Sequence, residues 1–127
     1  MKHTCSIKVR SYECDSNNHV NNATYLNYLE HARMRFLLDN GFNYEGLREK
    51  GYHLVVSKIC IEYISQAFSQ DELTIATWPV KTGRVKGVLD QEIIKENQAV
   101  AKAQITYAVI SKEGRPAPLP DGWNLPG

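Results

Sequence analysis

The chain has 127 residues, 43% of them hydrophobic and 23% charged, with a formal net charge of +1. That length suits one domain, residues 1–127, around one core. The near-neutral charge excludes a general nucleic-acid binder, which needs a clear basic excess, and no apolar run approaches the roughly 20 residues of a membrane span.

Met1-Lys2-His3-Thr4-Cys5 is a basic start with no apolar signal core after it, so a cytoplasmic protein is expected. Cys5, Cys14 and Cys60 are odd in number and hold no Cys-x-x-Cys pair. Reduced thiols are therefore expected, with neither a disulfide framework nor a metal site.

Residues 4–12 carry β-branched and aromatic residues and predict a first strand. Glu13 to Asn18 has the composition of a loop. A helix is predicted from about Asn21 to Asn40, with Tyr25, Leu29, Ala32 and Phe36 on one stripe and Leu26, Tyr28 and Leu37 widening it. Asn21 or Asn22 can cap its start, and Gly41 can end it in left-handed geometry. Residues 43–50 predict a short second helix closed by Gly51.

Strands follow over 53–64, 72–81, 84–95 and 99–111. The first places Val55, Ile59, Ile61 and Tyr63 on one face. Glu96-Asn97 is a tight connection that makes a hairpin of the last two. Ala99, Ala101, Ala103, Ile105, Tyr107 and Val109 alternate onto one face of the last strand, where small residues let a helix approach closely. That strand, long and apolar on one face, is expected to be an exposed edge and to favour subunit pairing. Residues 114–127 read as a Pro- and Gly-rich tail. One long apolar helix and a run of strands imply an α+β architecture, an antiparallel sheet wrapped around the helix.

The densest chemistry is Asp15-Ser16-Asn17-Asn18-His19-Val20-Asn21-Asn22, which runs directly into the helix. A helix N-terminus carries unpaired N–H groups and a partial positive charge. An acid beside that pole can act on a carbonyl the pole polarises.

Asp15, the Val20-Asn21-Asn22 run after His19, and Tyr25-Leu26-x-Tyr28-Leu29-Glu30-x-x-Arg33 resemble the hotdog-fold thioesterases of the 4-hydroxybenzoyl-CoA thioesterase-like family. The resemblance runs from Ile7 to about Pro120. Ile61-Glu62-Tyr63, Asp71-Glu72-Leu73 and Gly114-Arg115-Pro116 are weaker echoes. Asp15, Asn17, His19, Val20, Asn21 and Asn22 also match the Asp-x-Asn-x-His-Val-Asn-Asn motif of plant-type acyl-ACP thioesterases. There are departures. Asn18 stands where many bacterial members carry Gly, and Asn22 where some carry His. The downstream Glu of the plant-type enzymes has no counterpart, because the matching strand begins Leu54-Val55-Val56.

The resemblance implies a hotdog fold and hydrolysis of an acyl thioester of CoA or acyl carrier protein. It makes Asp15 the nucleophile or general base, with His19 and Asn17 organising the site. N–H groups over Asn22, Ala23, Thr24 and Tyr25 would stabilise the oxyanion. Coenzyme A enters as part of the substrate, with no metal or redox cofactor, and a homodimer or homotetramer is implied.

Other readings stay open. Asp15 can simply cap its own loop. His19 can pin the loop to backbone, and Cys14 with His19 is a nucleophile–base pair by residue type. Glu30 and Arg33, three apart, can pair on the helix surface. Lys81, Arg84 and Lys86 can meet the phosphates of coenzyme A or form a solvated basic turn. The rival from another class is a non-catalytic acyl-CoA or acyl-carrier binding module. A hotdog dehydratase finds no matching motif.

Overall fold

The computed structural model describes residues 2–127. An 18-residue helix, α1 (Asn22–Asp39), lies against the strands β1 (His3–Lys8), β2 (His53–Tyr63), β3 (Glu72–Thr82), β4 (Lys86–Lys95) and β5 (Gln98–Ile110). A short α2 (Tyr44–Glu49) follows α1. The strands form one sheet in the order β1-β3-β4-β5-β2, with every neighbouring pair antiparallel. This is the expected α+β architecture. No helix among the described residues is long and apolar enough to cross a membrane.

The ends of α1 are set by local chemistry. Asn21 is the N-cap, its Oδ1 accepting the Ala23 N–H at 3.0 Å. Gly41, at φ +76°, turns the chain out of the helix. The buried face of α1 is Tyr25, Tyr28, Leu29, Ala32 and Phe36. It meets Leu73 and Ile75 of β3, Leu89 and Ile93 of β4, and Ile105 of β5 within one core. Glu96 and Asn97 both have positive φ, 49° and 65°, which suits the two-residue turn joining β4 to β5.

The structure differs from the sequence expectations at several points. The first strand ends at Lys8 because the Glu13 carboxylate accepts the Arg10 N–H at 2.8 Å and folds Ser11–Glu13 into a 3-10 turn. The last strand is not an edge. β2 crosses to its far side and covers it, so the edges are β1 and β2. The face assigned to the strand after the helices is interrupted by a bulge between Val56 and Lys58. Val56 therefore stands opposite buried Tyr107, in step with Ile59, Ile61 and Tyr63, while Val55 pairs with Ala108 on the other face. A second irregularity at Ile93/Ile94 leaves Ala99 partly exposed while Ala101 to Val109 alternate inward as expected.

The segment read as a tail is packed. Leu119 and Leu125 are buried, and Trp123 packs edge-on against Phe42. Arg84 clasps it, donating to the carbonyls of Leu119 at 2.7 Å, Pro120 at 3.0 Å and Trp123 at 3.1 Å.

Inside the apolar layer between helix and sheet lies a buried polar contact. Gln91, 1% exposed in mid-β4, donates from Nε2 to the Leu29 carbonyl and to Thr77 Oγ1, both at 3.0 Å. Its Oε1 accepts from Arg33 Nη1 at 3.1 Å. Gln91→Ala removes the bridge and strands a buried hydroxyl and a half-buried guanidinium. The expected cost is about 1–3 kcal/mol, read as a lower urea midpoint at unchanged slope. An unchanged midpoint would show that the Gln91 bridge adds nothing to the hold of the sheet on α1.

Candidate functional site

The loop before α1 is built on Asp15. Its Oδ1 accepts the N–H of Asn17 at 2.9 Å and of His19 at 3.1 Å, and its own N–H donates to the His19 carbonyl at 2.8 Å. Asn18 takes the left-handed turn position at φ +65°, which Asn adopts more readily than most residues. Cys14 and Val20 close the base of the loop as a bridge. The loop-capping role of Asp15 is thus real, but it occupies one carboxylate oxygen. No protein hydrogen bond among the described residues reaches the other.

Asp15, His19, Val20, Asn21, Asn22 and Gln66 line an open, polar pocket of about 270 Å³ at the N-terminal end of α1. The pole is not fully free. Asn21 Oδ1 takes the Ala23 N–H, and the Asn21 carbonyl takes that of Thr24. Tyr25 is core, its hydroxyl accepting the Ala67 N–H at 3.1 Å. Of the four residues expected to offer N–H groups, Asn22 alone lines the pocket.

His19 meets Asp15 through its backbone. Its ring packs edge-on against Phe68, with centroids 5.2 Å apart. Cys14 does not pair with His19: its thiol points to the Arg10 carbonyl at 3.8 Å. Burial, then the charges of Asp15, Glu13 and Asp71, push that thiol up, which disfavours the thiolate a nucleophile needs.

Three contributors carried no site signal in the sequence. Gln66 lies in a short polar connection and reaches the pocket through tertiary placement alone. Tyr63, at the end of β2, donates from its hydroxyl to the Asn22 carbonyl at 3.1 Å. Glu13 receives the Tyr28 hydroxyl at 2.9 Å and so braces the 3-10 turn against α1. Burial, and then that bond, push the Tyr28 phenol far up and keep it a donor.

Glu30 and Arg33 do not form the expected surface pair. Arg33 turns inward to Gln91, and its desolvated guanidinium is pushed down. Lys81 and Lys86 are exposed and Arg84 holds the C-terminal segment. All three lie at the end of the sheet away from Asp15. Lys81 is nine residues along β3 from Glu72, roughly 30 Å at about 3.3 Å per residue, whereas the Asp15 loop adjoins the Glu72 end through Val9 and Asp71. One protomer does not bring them to Asp15. A second, mostly apolar cleft of about 240 Å³ opens between α1, α2 and β2 at that far end. No group of three or more His, Cys, Asp or Glu among the described residues is placed to hold a metal ion.

The model of the thioesterase-like superfamily matches residues 9–123. The chain belongs to that superfamily. It is 39% identical over 106 residues to the long-chain acyl-CoA thioesterase FadM of Escherichia coli, covering 82% of this chain and 80% of that one. It is 28% identical over 120 residues to the chloroplastic acyl-acyl carrier protein thioesterase ATL3 of Arabidopsis thaliana, covering 93% of this chain and 63% of that one. In structure it resembles a probable thioesterase from Bartonella henselae, with a TM-score of 0.88 and 27% identity over 94% of this chain and all of the other. The fold is the hotdog fold of those thioesterases.

Phe68, which carries the His19 ring, is fixed by Asp71. Asp71 Oδ2 accepts the Phe68 N–H at 2.8 Å and pairs with Lys95 Nζ at 2.7 Å. Burial alone would raise this carboxyl, but the Lys95 contact and the Phe68 N–H outweigh it and hold it below its ordinary value. A lowered folded value means the contribution to stability is complete above the unfolded value of about 3.9 and is lost as pH falls through the folded one. Asp71→Asn should therefore unfold more easily than wild type at pH 7, and the gap should close as pH falls below about 4. A gap constant from pH 7 to pH 3 would assign the effect to packing.

Proposed function

We propose that this member of a thioester-hydrolase superfamily cleaves acyl thioesters of coenzyme A or acyl carrier protein, using Asp15 at the N-terminal pole of α1. The observation that carries this reading is one pocket holding both Asp15 and Asn22. A thioester carbonyl oxygen directed at the Asn22 N–H and the helix pole is polarised there, and the oxyanion that forms on attack is stabilised at the same place. The free oxygen of Asp15 then has two routes. It attacks the carbonyl carbon, giving a mixed anhydride that water hydrolyses, or it takes a proton from a water that attacks instead. Either route releases a free acid and a thiol. Asn17 and His19 serve through their backbone N–H groups, which hold the other oxygen. No metal or redox cofactor takes part.

The active unit in this reading is a dimer paired through β2. This edge leaves Val56, Ile59, Tyr63 and the adjoining Ile64 between 36% and 48% exposed, a long apolar edge that a monomer would leave open to other strands. Pairing two copies of β2 antiparallel about a two-fold axis sets the start of one strand beside the end of the other. The Lys81 and Lys86 end of one protomer then faces the Asp15 end of its partner, where those lysines can meet coenzyme A phosphates.

Asp15→Asn is expected to lower kcat on acyl-CoA by ~10²–10⁴ while the fold persists, checked by free-thiol release alongside circular dichroism. Undiminished turnover in a folded variant would return Asp15 to its loop-capping role. Light scattering of the active protein at micromolar concentration should give twice the 14.4 kDa chain mass or a higher multiple. An active species at the chain mass would rule out the β2 pairing.

A further inference from the structure

We propose that Tyr107, laid across Gly87 at the floor of the cleft between α1 and β2, sets the length of acyl chain the protein accepts. This rests on the thioesterase reading and on the two-fold pairing of β2.

The cleft has a direction. Its mouth lies at the sheet edge, where Val55 and Val56 are exposed, and its floor is made by Phe36, Leu89 and Tyr107, each less than 8% exposed. An apolar tail entering from the edge runs inward until it meets that floor. Glu30 and Arg33 supply the polar part of the lining, and the rest suits hydrocarbon.

Tyr107 is the floor residue whose position depends on a specific neighbour. It stands directly opposite Gly87 in the β4–β5 ladder. A Cβ at Gly87 would fall 2.5 Å from the Tyr107 hydroxyl oxygen and 2.7 Å from Cζ, so the end of the phenol occupies the space a side chain would fill. No protein hydrogen bond among the described residues anchors the hydroxyl, and its burial pushes the phenol up. The ring is thus a space-filling block of polarisable carbon rather than a member of a polar network.

The cleft is joined to the chemistry by the partner. Within one protomer its β2 wall is Leu54 to Val56, whereas Asn22 of the Asp15 pocket is tied to Tyr63 at the other end of β2. The antiparallel two-fold pairing sets these two ends side by side, so the thioester held at one protomer's Asp15 sends its chain into its partner's cleft. Each site is incomplete without the second copy.

The test is kcat/KM for a series of saturated acyl-CoAs of increasing length, measured on wild type, Tyr107→Ala, Tyr107→Leu and Tyr107→Phe. Each methylene newly buried is worth about fourfold. Tyr107→Ala should therefore raise the ratio of long-chain to short-chain kcat/KM by about tenfold or more and move the optimum to chains about two to four carbons longer. Tyr107→Leu should move it the same way by less, which keeps the test alive if the alanine variant folds poorly. Tyr107→Phe should keep the wild-type order of chain lengths. Equal loss at every length in both truncated variants would overturn the assignment while leaving the thioesterase reading intact. Wild-type protein that turns over neither acyl-CoA nor acyl-acyl carrier protein would overturn the thioesterase reading instead. Binding of non-hydrolysable acyl-CoA thioethers to the same variants would then judge Tyr107 separately, and affinities with no length shift would overturn it.

Discussion

The side-chain amide of Gln91 fixes the helix to the sheet, and most of what the molecule does depends on where the helix lies. An apolar stripe on α1 can slide or rotate over an apolar sheet at small cost. A buried amide that needs the Leu29 carbonyl, the Thr77 hydroxyl and the Arg33 guanidinium together has one solution. That solution puts the N-terminal pole of α1 at the Asp15 loop and leaves the cleft beside its C-terminal half. The pole and the cleft lie on opposite sides of this contact, so it bears on the geometry of both.

Around the pole, rigidity comes from short contacts made by residues outside the pocket. The Tyr28 hydroxyl holds Glu13, the Tyr25 hydroxyl holds the Ala67 N–H, and the Tyr63 hydroxyl holds the Asn22 carbonyl. Three tyrosine rings contribute apolar area and spend their hydroxyls on the loops that frame the acid. The carboxylate is therefore presented by a backbone that has little freedom to move, which is what preorganised stabilisation of a developing oxyanion requires.

Much of this was legible in the sequence, for definite reasons. The bounds of α1 follow from Asn21 and Gly41, whose effects are local, and its buried face follows from a 3.6-residue period. The Asp15 loop was legible through its match to a motif. Other features depend on which strands become neighbours, and a single chain does not print that. The bulge after Val56 and the irregularity at Ile93/Ile94 invert alternation without any Gly or Pro to announce them. The length of β5 suggests an edge strand, but β2 crosses over and covers it. By residue type Arg33 and Arg84 are surface charges, yet one points to a buried glutamine and the other clasps three carbonyls. Gln66 enters the pocket from a connection with no pattern of its own.

The two edges of the sheet are unequal, and this governs what kind of assembly the fold permits. β2 is eleven residues long, apolar and bent by its bulge, whereas β1 has six residues and ends at the charged Lys8. When β2 joins its own copy about a two-fold axis, the more adhesive edge is consumed on both molecules at once. What remains outward is a pair of short polar edges that recruit poorly. The bulge limits the join further, since a bent strand matches only a strand bent the same way and resists slippage of register. In the proposed pairing, growth by strand addition would stop at two chains, and a sheet with an open adhesive edge would become a closed particle of fixed size.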